Sequence, residues 1–288
     1  VNFFLRLMAL ISVLAAVACT PVEFFAVNAP TYASPVVVKK DISYGSDDMQ
    51  KLDIYMPANN EKTPHDVVVF FYGGRWTTGD KAQYRFVGTS LAEKGFVVVI
   101  PNYRKYPAVK FPVFVEDGAK AVAWAEDHIA AYGGNIHKIN IAGHSSGAHI
   151  GALIAANPAY LNAYGKSRAS IHSFAGLAGP YAFTPDEPDL KDMFGPPSAY
   201  PFMQVPTFID GHQPPMLLLY GDKDKTVGLV NLEKLKAAIK RKGGCVKSKI
   251  YPGLNHVWII GSLSWLGSNK NTVLDDMVDF FERPACDY

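Results

Sequence analysis

The chain reads as an α/β protein with a mostly parallel central sheet, helices on both faces and a short lid insertion. Three observations predict this. First, short continuous apolar runs at residues 67–72 and 96–100 look like strands buried on both faces. Second, such runs alternate with longer stretches whose apolar residues recur at helical spacing, and strand–helix alternation forces parallel pairing. Third, Gly143-His144-Ser145-Ser146-Gly147 lies between an apolar run at 138–142 and a small-residue helical run at 148–156. It therefore reads as a tight strand-to-helix turn that holds a serine hydroxyl clear of the sheet edge. The two flanking glycines remove side chains that would strike the neighbouring strand and helix.

The elements follow in order. Residues 36–44 and 52–56 read as two strands joined by a turn at 45–50, with alternation at Leu52-Asp53-Ile54-Tyr55. The run at 67–72 stops at Gly73-Gly74. Asp80 with Gln83 makes a capping box, Tyr84, Val87 and Leu91 share a helical face, and Gly95 stops that helix. The strand at 96–100 ends at Pro101. A helix over 115–132 carries Val115, Ala119, Val122, Ala125 and Ile129 on one face and ends at Gly133-Gly134. Beyond the serine turn, strands are expected at 170–177, 216–220 and 248–251, with helices at 230–239 and around Val273–Phe281. Between them, residues 180–214 have no clear period and are too long for a simple connection, which marks a lid or binding loop. It carries Tyr181, Phe183, Phe194, Tyr200, Phe202 and Phe208, some for an apolar pocket and some for the core.

Composition narrows the classes. Hydrophobic residues make up 49% and charged residues 19%, as in a globular chain. A net charge of +2 over 288 residues gives no basis for nucleic-acid binding or for electrostatic attraction to a membrane. Lys240-Arg241-Lys242 is a helix end, where cations suit the dipole. Residues 1–18 read as an export signal: Arg6, an apolar run at 7–17, then Ala16-Val17-Ala18 as a cleavage site. Cys19 follows at once, so the segment also resembles a lipoprotein signal, and either cleavage alone or lipidation of Cys19 fits. Residues 19–35 read as a tether and 36–288 as one domain. Export would allow Cys245 and Cys286 to pair, although two free thiols are the alternative.

A serine needs a base, and the base an orienting acid. Both follow downstream, at loops on the carboxyl edge of the sheet. Asp222 and Asp224 lie in the loop after the strand at 216–220; Asp224 is the choice for the acid and Asp222 for a turn or cap. His256 alone of the eight histidines has the required order and edge. His144 and His149 flank the serine but point to packing; His65, His137 and His172 lie at strand starts, His128 on a helix surface and His212 in the lid. Tyr72-Gly73-Gly74-Arg75-Trp76 would supply oxyanion donors: the backbone N–H groups of Gly74 and Arg75, joined by that of Ser146. The Arg75 side chain could instead meet a substrate carboxylate, and Trp76 reads as core beneath the loop. No zinc spacing, phosphate loop or dinucleotide loop occurs in context, so no cofactor and no metal is expected.

With Tyr72-Gly73-Gly74-Arg75-Trp76, Gly79-Asp80-Lys81, Asn102-Tyr103-Arg104-Lys105-Tyr106-Pro107, the serine turn and the Asp224 and His256 loops in view, the chain resembles the α/β-hydrolase superfamily over residues 41–281. It is most similar to bacterial carboxylesterases of the feruloyl-esterase-like, kynurenine-formamidase-like and hormone-sensitive-lipase-like group. That family usually begins the donor loop with histidine and often has a third glycine, where this chain has Tyr72 and Arg75. Lipase-like members often carry an N-terminal helical cap, for which the stretch at 34–44 leaves no room, so the lid expected here is 180–214. The resemblance implies a serine carboxylesterase acting on small-molecule esters through an acyl-enzyme. The alternatives are an amidase or formamidase on the same residues, or a binding protein without useful turnover. The expected location is periplasmic, secreted or lipid-anchored, with membrane contact only through a lipid on Cys19. The oligomeric state and the natural substrate stay open.

Overall fold

The computed structural model describes residues 21–58, 64–267 and 272–286. The signal reading of 1–18 and the lipidation reading of Cys19 fall outside them. Among the described residues, β1 (Val37–Ser43), β2 (Lys51–Met56), β3 (His65–Phe71), β4 (Val97–Pro101), β5 (Gly134–His144), β6 (Ile171–Leu177), β7 (Met216–Gly221) and β8 (Val246–Tyr251) form one sheet in the order β1-β2-β4-β3-β5-β6-β7-β8. The pairs β1·β2 and β2·β4 are antiparallel, and every pair from β4 through β8 is parallel. The continuous apolar run in β3 explains its central place: Val67, Val68, Val69, Phe70 and Phe71 are all fully buried, as they must be with helices on both faces. The half-exposed β1 lies at the antiparallel edge.

Helix α1 (Pro21–Asn28) precedes the sheet, and α2 (Arg85–Glu93), α3 (Val113–His128), α4 (Ser146–Ala156), α5 (Pro188–Phe194), α6 (Val230–Arg241), α7 (His256–Gly261) and α8 (Thr272–Glu282) are spread along the rest. The capping box at Asp80 forms, but on a 3-10 turn over Lys81–Tyr84 that then passes into α2. Helix α3 tightens into a 3-10 turn at Ile129–Tyr132, and Gly133 closes it at φ 80. Cys245, just before β8, and Cys286, beyond α8, form a disulfide across a separation of 41 residues.

Three stretches differ from what the sequence suggested. The stretch read as a tether is not loose: α1 and a 3-10 turn at Ala29–Ala33 pack on the start of α2. The Asn28 amide donates to the carbonyls of Phe24 and Gln83, both at 2.8 Å, and its oxygen accepts from the Phe86 N–H at 2.8 Å. Phe24 lies against Tyr84 with ring centres 5.7 Å apart. An apolar pair at i and i+3, Phe24 and Val27, has a surface to cover, and covering it outweighs the freedom of a linker. The lid is the second difference, since α5 and short turns at Pro197–Ala199, Tyr200–Met203 and Val205–Phe208 organise it. The third is α7, which begins at His256 and is capped by Asn255, whose side chain accepts from the N–H groups of Val257 and Trp258.

Candidate active site

Ser145 occupies the turn between β5 and α4 with φ 54 and ψ −125, a conformation that costs a non-glycine residue energy. The surroundings hold it there. The Ser145 N–H donates to the Leu177 carbonyl at 2.9 Å. A Cβ on Gly147 would lie 2.1 Å from the Phe71 carbonyl oxygen, and one on Gly143 would lie 2.5 Å from that of Gly147. Gly147 is therefore required for α4 to sit this close to β3, and Gly143 for the end of β5 to sit this close to the first turn of α4.

His256, at the first turn of α7, places Nε2 2.9 Å from the Ser145 Oγ. Its Nδ1 lies 2.8 Å from Asp224 Oδ2. Asp224 follows β7, and its other oxygen accepts from the N–H groups of Thr226 at 2.8 Å and Val227 at 2.9 Å. Burial pushes the Asp224 carboxyl up. The hydrogen bond and charge of His256 and the two N–H donors outweigh this and leave it below the usual carboxylate value. Asp222 does not make the turn or cap expected of it: Asp224 takes the turn N–H groups itself, and Asp222 accepts from the Gly253 N–H at 2.7 Å, tying the β7 and β8 loops together.

The loop after β3, expected to supply oxyanion donors, has left-handed backbone: Gly74 has φ 138, a conformation open to glycine, and Arg75 and Trp76 are strained at φ 54 and 59. A Cβ on Gly74 would meet the Thr78 carbonyl oxygen at 2.3 Å. Asn102, after β4, braces the loop. Its oxygen accepts from Tyr72 Oη at 2.7 Å and from the Lys81 N–H at 2.8 Å, while its amide donates to Asp80 at 2.8 Å. Tyr103 Oη donates to the Tyr72 carbonyl at 2.8 Å. The Lys81 ammonium bridges the carboxylates of Asp41 at 2.7 Å and buried Asp53 at 2.9 Å, anchoring the loop to the antiparallel edge. The N–H groups of Gly74, Arg75 and Ser146 take part in none of the turn and loop hydrogen bonds of the described residues.

The Arg75 side chain is not open to a substrate carboxylate. Its guanidinium grips Asp189 at 2.5 and 3.1 Å and Glu187 at 2.7 Å, which fastens the lid to the donor loop. Trp76 is buried, with its ring near those of Phe114, His149, Phe183 and Phe194.

His144 is buried, and its Nε2–H donates to the carbonyl of His256 at 2.9 Å. Burial, then the nearby His256, pushes its imidazole down to about 3. Burial likewise lowers His149 to about 4, against the hydrogen bond from its Nε2–H to the Met203 carbonyl. The remaining histidines stand away from the serine; His65, for one, contacts the Gly95 carbonyl at the start of β3.

Ser145 opens into a cleft of about 930 Å³ lined by Phe24 and Val27 of α1, Phe183 of the lid and Trp258 of α7. Of the lid aromatics, Tyr181 and Phe194 are buried, while Tyr200, Phe202 and Phe208 line a separate groove with Phe111 and Tyr160. Sequence reasoning missed the wall from α1 and the link from His144 to His256. The i, i+3 apolar pair in α1 was the available signal for the first. Nothing local marks the second, because 112 residues separate the partners. Among the described residues, no cluster of three or more His, Cys, Asp or Glu side chains could hold a metal ion.

The same architecture occurs in known proteins. Esterase B from Lactobacillus rhamnosus strain HN001 superposes with a TM-score of 0.76 at 21% identity, over 91% of each chain. A carbohydrate esterase from gut microbiota gives a TM-score of 0.72 at 21% identity, over 85% of this chain and 95% of that one. The sheet order, the serine turn and these likenesses decide the fold. The chain has the α/β-hydrolase fold. Residues 52–181 of the chain match the BD-FAE family model. It is 26% identical to isoprenylcysteine alpha-carbonyl methylesterase ICME of Arabidopsis thaliana, over 84% of this chain and 61% of that protein. It is 28% identical to esterase LipQ of Mycobacterium tuberculosis, over 72% of this chain and 54% of that protein. The chain thus spans little more than half the length of these two relatives.

Proposed function

We propose that this chain is a serine carboxylesterase that cleaves small carboxylic esters through an acyl-enzyme. The observation that carries the reading is the continuous hydrogen-bonded line Ser145–His256–Asp224 at the floor of the cleft. His256 Nε2 takes the proton as Ser145 Oγ attacks the ester carbonyl carbon. The carbonyl oxygen becomes an oxyanion, held by the N–H groups of Gly74, Arg75 and Ser146. Collapse breaks the ester C–O bond, and His256 returns the proton to the departing alcohol. Water then attacks the acyl-enzyme by the same route and releases the acid. Asp224, kept ionised, holds the Nδ1–H tautomer and stabilises the imidazolium.

The esterase relatives support an ester rather than another acyl group. Phe24, Val27, Phe183 and Trp258 favour an apolar acyl or alcohol part, and the occupied Arg75 does not favour an anionic one. We also infer that the chain is exported. The apolar segment at 7–17 ahead of Cys19, and the Cys245–Cys286 disulfide, both suit an oxidising compartment.

Ser145→Ala should lower kcat/KM on a short-chain aryl ester by about 10⁴-fold or more while leaving the circular dichroism spectrum unchanged. Covalent labelling by an organophosphonate should disappear with it. Near-native turnover by the variant would overturn the reading. A rate on a matched amide above that on the ester would replace it with an amidase.

A further inference from the structure

We infer that the mouth of the cleft docks on the surface of a lipid bilayer, with Phe25, Trp258 and Trp265 seated among the lipids. Large apolar side chains stand exposed at or next to residues that line this opening. Phe25 of α1 is 73% exposed, Trp265 52% and Trp258 48%. Leu266 and Trp258 themselves line the cleft, and the Trp265 indole N–H donates to the Ala26 carbonyl at 3.1 Å, joining the α7 side of the rim to α1. Exposed Leu229 and Val230 lie between Gly228 and Asn231, which also line the cleft. Single exposed apolar residues need no explanation, but several of them from three chain segments beside one opening mark an interaction surface.

Two further observations choose the occupant. The chain before Pro21 joins the molecule at this rim, because α1 starts there and lines the cleft. That chain contains the apolar run 7–17 and Cys19. Two residues of extended chain span about 7 Å, so an apolar anchor at Cys19 would hold the rim close to the bilayer. The aromatic character fits as well, since indole rings suit the boundary between headgroups and acyl chains. Charge selects the kind of bilayer. The charged side chains lining the mouth are Glu23, Arg75, Asp186 and Glu187, three carboxylates against one cation. Docking is therefore driven by apolar insertion, and a zwitterionic surface is preferred to an anionic one. No helix among the described residues is long and apolar enough to cross a membrane, so the contact lies in the interface plane. The inference does not depend on ester hydrolysis, but it would give the cleft direct access to esters dissolved in the bilayer.

The test uses the full chain and phosphatidylcholine vesicles with brominated acyl chains, read by flotation and tryptophan quenching. The four tryptophans are Trp76, Trp124, Trp258 and Trp265, so residues 1–20 contribute no signal and quenching reports the rim. The protein should float with the vesicles and its emission should be quenched. Adding phosphatidylglycerol should not strengthen binding. Phe25→Ser with Val230→Ser should cut quenching at least five-fold, while hydrolysis of a water-soluble ester stays within about two-fold. Flotation without quenching would mean that residues 1–20 bind with the mouth turned away, and would overturn the inference. So would unchanged quenching in the double variant. A lipid-free dimer that the double variant abolishes would assign the rim to a second copy instead. Ser145→Ala should dock as the parent does, so loss of ester turnover and loss of docking are separate outcomes.

Discussion

Two histidines flank Ser145, and the side-chain bonds of both go elsewhere than to its hydroxyl. His144 donates to the main-chain carbonyl of His256, so the residue before Ser145 holds the loop that carries the proposed base. His144→Ala should lower kcat about ten-fold with KM nearly unchanged, the signature of a base that is poorly positioned rather than of lost substrate contact. The same residue makes the fold acid-sensitive. Its folded value of about 3 lies below the ordinary 6.5, so between these values the unfolded chain binds the extra proton. Stability falls as pH drops from 6.5 towards 3 and does not depend on this group above 6.5. Urea unfolding at pH 7 and pH 5 should show a loss on the order of 1–2 kcal/mol that His144→Ala removes. Asp224 adds to the same trend, since stability from a carboxyl held low is lost as acid protonates it. These effects arise from burial, which the sequence around His144 does not reveal. By contrast, the placement of Asp224 beside His256 was legible, because the third position after Gly221 lets a carboxylate reach both the turn N–H groups and the next loop, whereas the cross-loop bond of Asp222 to Gly253 has no local signal.

At the scale of elements, the strands were easy to read and the walls of the cleft were not. Buried runs such as Val67–Phe71 have one stable place in an α/β fold, between two helical layers. Helix α1 and the lid have no such constraint, since each is built from short helices and turns outside the sheet. What fixes the lid is chemistry at its ends, chiefly the guanidinium of Arg75 between Glu187 and Asp189. These pairs are part-exposed, so their contribution to global stability is at most about 1 kcal/mol. Their effect should be local. Glu187→Gln with Asp189→Asn should leave the urea midpoint nearly unchanged. Limited proteolysis should then cut the lid near residues 184–188 several-fold sooner. High salt should bring the parent chain towards the same rate, because screening weakens the parent's pairs and has little to act on in the variant.

Across the whole molecule, one side of the sheet is closed by packing and the other by a covalent link. The Cys245–Cys286 disulfide ties the start of β8 to the end of the chain beyond α8. Closing a loop of that length contributes about 4 kcal/mol on the chain-entropy model. Cys245→Ser should lower the urea midpoint accordingly, and a reductant should bring the parent chain to the same midpoint. Ester turnover at 25 °C should persist, because neither cysteine is near the cleft lining. The sequence offered these two cysteines as partners but could not bring them together; that depended on β8 and α8 packing on the same edge. The overall architecture was more legible because it is redundantly encoded. Eight strand runs, the capping box at Asp80 and the glycines at 143 and 147 all require the same arrangement.

Helix α1 has a consequence for how such a molecule can diversify. Phe24 and Val27 form part of the cleft, yet they belong to a segment that enters the fold before the first strand and is held mainly by Asn28. Exchanging that leader segment would reshape the pocket without altering one residue of the sheet or of the Ser145–His256–Asp224 line. The segment at the start of the chain and the sheet can thus vary as separate modules. A library confined to Glu23, Phe24, Ala26 and Val27 would change one wall of the cleft and leave the sheet untouched.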